Sequence, residues 1–382
     1  MRTFASVSLV LLLLCVACPD SEPPPEEPPT DDDDSTASDD DDSASSPDDD
    51  DSAPSDDDDS GQGDDDDSAS LGIGPLCFPE IWDPAFPGAD YDQFGPTVGT
   101  HCQGTNHQDI QGVERVVFVG DSVTVGTPPS LDAELYRSRL TEALATRFGL
   151  AVPGWPWPGL DWLSGTALGP LDGGGDFVSC AEWGARADDL MADNSQLLDC
   201  LPESERNKTT LVVMTVGGND IASLTQDGAA GVSTALLWLA VEQWVQDIED
   251  AIRWIVEPGR FPAGVYVLFS NNFEFTDATG DVESCDFASF GGFENTPWED
   301  PLAQETLVVW AMEQYLRIAT ETGTDMIFML EHFCGHGYRR DDQTGRCYRG
   351  PDAELWFDLT CIHPNPTGHQ QISDMFMAVV NE

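Results

Sequence analysis

Val116-Val117-Phe118-Val119-Gly120-Asp121-Ser122 sets four consecutive apolar residues, three of them β-branched, against a glycine and a polar turn. An apolar run without alternation is a strand buried on both faces, as in a parallel sheet covered by helices. Outward from it, similar runs recur at 211–216, 265–269 and 326–330. Between and after them, 132–148, 236–256, 302–322 and 367–380 place apolar residues at helical spacing. Strand, helix, strand, helix predicts an α/β fold whose central parallel sheet has helices on both faces. Reactive residues of such sheets gather in loops at the carboxyl ends of strands, so the chemistry is expected just after the apolar runs.

Charge narrows the function classes. The 382 residues include 71 acids and 15 bases, a formal charge of −56. Asp20, Glu22, Glu26, Glu27 and five Asp-Asp-Asp-Asp-Ser repeats, starting at 31, 39, 48, 56 and 64, account for 24 of the acids. Residues 71–382 keep 47 acids against 14 bases. Nucleic-acid affinity comes mainly from Lys and Arg displacing counterions, so a nucleic-acid partner is excluded. Eleven Trp, 18 Phe and 40% hydrophobic residues are too many for a disordered chain. One folded domain over 71–382 is expected.

At the N-terminus, Arg2 precedes an apolar run over 4–16, too short for a comfortable bilayer span, and 1–17 reads as a cleaved export signal. Cleavage after Ala17 exposes Cys18, which resembles the lipobox cysteine of bacterial lipoproteins, where the thiol carries the lipid; Cys15 stands where that family usually has Leu. Ordinary secretion with a free Cys18 is the other reading. Residues 18–70 are expected to be a disordered tether, self-repelling and with nothing to bury. Weak Ca²⁺ condensation on its Asp clusters is the alternative. Membrane contact is expected only through the lipid, and the domain is placed at the cell surface or in the periplasm.

Eight cysteines remain, Cys77, Cys102, Cys180, Cys200, Cys285, Cys334, Cys347 and Cys361, and an even set in an exported chain reads as disulfides. Their order does not fix the pairing. Loops 77 with 102, 180 with 200 and 334 with 347 cost least to close, which leaves 285 with 361. A zinc site in Glu331-His332-Phe333-Cys334-Gly335-His336 is the rival reading, but no matching ligand cluster stands nearby in sequence. Neither metal nor cofactor is expected.

Gly120-Asp121-Ser122 follows the first run, Gly217-Gly218-Asn219-Asp220 another, and His363-Pro364-Asn365-Pro366-Thr367-Gly368-His369 stands near the C-terminus. These blocks, in this order, resemble the SGNH/GDSL hydrolase family. A fourth, Cys180-Ala181-Glu182-Trp183-Gly184-Ala185-Arg186, resembles it less sharply. The resemblance spans 116–376 and implies a flavodoxin-like three-layer α/β/α sandwich that hydrolyses carboxylic esters. A Ser, a Gly, an Asn and a His are its working quartet.

The residues agree with that implication. A serine hydroxyl becomes a nucleophile when an imidazole removes its proton, which assigns attack to Ser122 and base to His363. The oxyanion needs preplaced donors, here the Ser122 and Gly184 backbone N–H groups and the Asn219 side-chain amide, each worth about 3 kcal/mol of barrier. Taken singly, Ser122, Gly184 and Asn219 are also ordinary turn residues. Asp121 is expected to tie down its own turn, Asp220 to cap the next segment and His369 to make a structural hydrogen bond; His101, His107, His332 and His336 read as surface residues. The family usually places Asp three residues before the histidine, and here that position is Thr360. Asp358 is the expected orienter of His363, with a backbone carbonyl as the alternative. Two insertions flank the presumed cleft: 153–176 with Trp155, Trp157 and Trp162, and 271–298 with Phe273, Phe275, Phe287, Phe290, Phe293 and Trp298. They read either as aromatics folded onto the core or as an acyl- or sugar-binding wall. The substrate is therefore an acyl or acetyl ester of a small molecule, lipid or glycan. A non-catalytic glycan- or lipid-binding lipoprotein on the same fold is the alternative.

Overall fold

The computed structural model describes residues 72–86, 88–153, 160–161, 166–167, 175–191, 195–291, 293, 298 and 300–382. The export signal, Cys18 and the tether lie outside these residues, as do Trp155, Trp157, Trp162 and the side chain of Phe290.

Seven strands are described. β2 (Leu160–Asp161) and β3 (Thr166–Ala167) form a small antiparallel pair. β1 (Arg115–Gly120), β4 (Phe177–Ser179), β5 (Thr210–Thr215), β6 (Val265–Ser270) and β7 (Asp325–Ile327) make one all-parallel sheet in the order β4-β1-β5-β6-β7. Within the sheet the second strand in sequence lies outside the first, the flavodoxin-like order. The opening apolar run is thus central, with Val117 paired to both Val178 and Val212.

Successive side chains point to opposite faces, and each face has its own core. Val117, Val119, Val212, Met214 and Phe269 meet α6 (Thr234–Val256) and α7 (Pro301–Thr322). Val116, Phe118, Leu211, Val213 and Leu268 meet α3 (Tyr136–Phe148) and α9 (Pro366–Asn381). The result is a three-layer α/β/α sandwich. Leu140, Leu144, Ile372 and Phe376 are fully buried in the second core, and each contributes roughly 2 kcal/mol by leaving water.

The sequence pattern misplaces two elements. The apolar run 326–330 is only half strand: β7 ends at Ile327 and α8 (Met329–Phe333) begins, its early Leu330 N–H taken by the Asn271 side-chain oxygen at 3.0 Å. The edge strand β4, three residues long, lacks the length that makes a strand visible in a pattern.

All eight cysteines are paired, Cys77–Cys102, Cys180–Cys200, Cys334–Cys347 and Cys285–Cys361. The three short loops are the ones that loop-closure entropy favours. Among the described residues no helix is long and apolar enough to cross a membrane.

Candidate active site

Ser122 stands where β1 runs out. Gly120 lets the strand end press against its neighbour: its φ is +143°, and an added Cβ would lie 2.1 Å from the Thr215 carbonyl oxygen. The Asp121 carboxylate then accepts the Val123 N–H at 3.0 Å and caps the short α2 (Ser122–Val125), which sets Ser122 at its first position. Asp121 therefore ties down its own turn. Burial pushes its carboxyl up to about 7.

His363 arrives from the other end of the chain, two residues ahead of the cap of α9. Asn365 accepts the Thr367 and Gly368 N–H groups, and Pro366 opens the helix with a φ already helical. This fixes the preceding loop, whose ends meet in the Phe357–Pro364 bridge and the Asp358 N–H to His363 carbonyl bond of 2.9 Å. His363 Nε2 lies 2.8 Å from Ser122 Oγ. Its Nδ1 lies 2.7 Å from the Thr360 hydroxyl, and that hydroxyl donates to Asp358 Oδ1 at 2.5 Å. Asp358 also accepts the Thr360 N–H at 2.8 Å, while its Oδ2 meets no hydrogen-bond partner among the described residues. Neither expected arrangement is present, since neither the Asp358 carboxylate nor a carbonyl receives Nδ1. The loop is too tight for Asp358 to fold back, and Thr360 occupies the gap. With the Thr360 proton committed to Asp358, the imidazole carries its own proton on Nδ1 and offers a bare Nε2 to Ser122. Enclosure lowers the His363 imidazolium to about 4, and burial raises Asp358 to about 6.

Gly184 and Asn219 come from the loops after β4 and β5. The Asn219 side chain, in the first turn of α5 (Gly218–Ala229), donates to the Ala185 carbonyl at 2.9 Å, which ties the two blocks together. Asp220 adds a second tie by accepting the Ala187 N–H at 3.2 Å, rather than capping its own helix. Gly184 has φ +76°, and an added Cβ would meet nothing within 4 Å. The left-handed backbone alone accounts for a glycine at this position. Among the described residues neither the Ser122 nor the Gly184 N–H has a protein acceptor.

Ser122, Asn219 and His363 line one cavity of about 670 Å³; Gly184 stands outside its wall. Phe273, Phe275, Phe293 and Trp298 of the second insertion line it too, while Phe287 is exposed. A further wall has no forewarning in the motifs: Phe78, Ile81, Trp82 and Phe86, from the segment after α1 (Ile73–Cys77). The clue available in sequence is an aromatic-rich, Pro-bounded stretch next to Cys77. The remaining histidines have structural work. His332 bonds the Cys102 carbonyl, His336 stacks on Trp356, His107 bonds the Thr324 carbonyl and His101 pairs with Glu382. Cys334 is spent in a disulfide, which removes the thiolate of the zinc reading. His369 differs from expectation: it is buried against Tyr136, and neither nitrogen finds a partner among the described residues.

No protein-family model matches this chain, and no curated protein matches it in sequence. Its solved structural neighbours include lipolytic proteins. One is an extracellular lipase from Streptomyces rimosus, 15% identical over 70% of this chain and 100% of that one, with a TM-score of 0.39. A G-D-S-L family member from Veillonella parvula is 10% identical over 71% of this chain and 100% of that one, at 0.37. A gut microbial diltiazem-metabolizing enzyme is 12% identical over 72% of this chain, at 0.44, and this chain spans 49% of its length.

Proposed function

We propose that this chain is a serine hydrolase of carboxylic esters, with Ser122 as nucleophile and His363 as base. The observation that carries the reading is the 2.8 Å approach of His363 Nε2 to Ser122 Oγ on the wall of an apolar cavity. As Ser122 Oγ bonds to the ester carbon, its proton passes to Nε2. When the tetrahedral intermediate breaks its bond to the alkoxide, that proton goes to the leaving oxygen. Water then repeats the sequence and frees the acid. The Asn219 amide, with the Ser122 and Gly184 N–H groups, is the donor set for the oxyanion. Thr360 holds the imidazole in its working tautomer, and Asp358 holds Thr360.

Ser122→Ala and His363→Ala are each expected to lower kcat by roughly 10⁴-fold or more, because nucleophile and base act as a unit. A fluorophosphonate should form a covalent adduct on Ser122. Retention of more than roughly a few per cent of turnover by either variant would show that this mechanism is wrong.

Four disulfides support an exported domain, and the same reading gives it a lipid anchor at Cys18. The intact mass of the mature chain tests this: it should begin at Cys18 with a thioether-linked diacylglycerol, and an unmodified Cys18 would refute the anchor.

A further inference from the structure

The cavity at Ser122 is far larger than an acetyl group requires. Its volume of about 670 Å³ lies among those that enclose whole ligands rather than single substituents. One wall is the segment after α1, clamped by Cys77–Cys102 and packed through Phe78 onto Phe328. Another wall is formed by residues 272–276 and 278–282 with Phe293 and Trp298, together with the first turns of α7.

The chemistry of the lining selects among occupants. The polar side chains that reach the cavity are already committed to protein partners. Asn272 donates to Tyr315, Gln304 to the Thr225 hydroxyl, and Arg346 pairs with Glu305 at 2.8 Å. The Glu331 carboxylate is taken by the Tyr91 hydroxyl at 2.7 Å and by the Asn271 amide at 3.1 Å. A sugar bound there would have to compete for groups that already hold protein partners, and each hydroxyl left unpaired costs free energy. An alkyl chain needs no partner and gains from each methylene it buries.

We infer that this cavity is an apolar-chain site, and that the substrate is an ester carrying a medium or long linear alkyl chain. The inference rests on the ester-hydrolase reading and makes Phe78, Ile81, Trp82 and Phe86 substrate-binding residues. Trp82, Phe86 and Leu302 line the cavity and are also 36%, 62% and 71% exposed, so they form its apolar mouth.

Two chain-length series measure this: p-nitrophenyl esters from acetate to dodecanoate, and acetates of alcohols from ethanol to decanol. Along at least one series kcat/KM should rise roughly threefold to fourfold per methylene until the cavity is filled. Trp82→Asp and Leu302→Asp, both at exposed positions, should collapse the ratio of long-chain to acetate kcat/KM by roughly tenfold or more. Separately, 1-decanol should saturably change the tryptophan fluorescence of the wild-type protein. If Ser122-dependent hydrolysis is found and both series are flat, the chain site is wrong while the hydrolase reading stands. If no ester is cleaved and Ser122 takes no fluorophosphonate, the hydrolase reading falls, and absence of decanol binding would then overturn the chain site as well.

Discussion

Thr360 stands between His363 and the Asp358 carboxylate, and substitution there separates a relay from a direct pair. Thr360→Val removes the acceptor for Nδ1 and frees the imidazole to turn, so kcat should fall roughly a hundredfold with little change in KM. Asp358→Asn keeps an oxygen that can accept from Thr360, so it should cost only about tenfold, far less than the loss of about 10⁴ that follows removal of a carboxylate in direct contact. Thr360→Asp alone would set two carboxylates against each other and raise the pKa of one. The combination with Asp358→Asn should recover much of the loss of Thr360→Val. Equal kcat for Thr360→Val and wild type would remove Thr360 from the mechanism. The acid limb of kcat/KM should lie near the lowered His363 value of about 4, since a neutral base is lost only as pH falls through it. Ser122 and His363 are legible in sequence because each stands in a short polar block, Ser122 directly after a buried apolar run and His363 just ahead of the Asn365-Pro366 start of α9. Thr360 is not, because its role depends on how tightly one loop closes.

That loop is the element on which the geometry depends, and the Cys285–Cys361 disulfide holds it. Cys361 has φ +72°, is fully buried and is bonded to Cys285 across 76 residues of chain. The Tyr338 hydroxyl donates to the Asp358 carbonyl at 2.6 Å and fixes the loop from a third direction. Cys285→Ala with Cys361→Ala should cost about 4 kcal/mol of stability through the long loop it releases. In the fraction still folded, kcat should fall roughly tenfold or more as His363 loses its register with Ser122. Both sulfurs are buried, whereas Cys77 and Cys102 are half-buried, so a mild reductant should open Cys77–Cys102 first. Unchanged kcat in the folded double variant would mean that Cys285–Cys361 serves stability alone. At this scale the apolar runs over 116–119, 211–216 and 265–269 are readable as strands because both faces are buried. The run over 326–330 is not, because α8 is apolar as well and only the Asn271 cap marks its start.

Across the whole domain, 47 acids against 14 bases suggest a protein governed by surface repulsion, but a free carboxylate titrates near pH 4, well below neutrality. The pH dependence of stability near neutrality therefore belongs to the buried groups. Burial raises Asp121 and Asp220 to about 7, and Asp277 and Asp358 to about 6. It lowers His363 and His336 to about 4 and His369 to about 3. Above about pH 7.5 His363, His336 and His369 are almost wholly neutral folded or unfolded and contribute little. Near neutrality the native state keeps protons on Asp121 and Asp220 that the unfolded chain has released, so stability must fall as pH rises through 7. Between about 7.5 and 5 the unfolded histidines take up protons while the native aspartates do the same, and the two slopes oppose each other. Stability at pH 6 should thus exceed that at pH 8 by on the order of 1 kcal/mol, or a few degrees of Tm. Asp220→Asn should remove part of the difference, since an amide carries no proton to lose. Calorimetry at constant ionic strength reads this directly, and a Tm higher at pH 8 than at pH 6 would mean that these carboxyls are ionised in the folded protein and find compensating partners there.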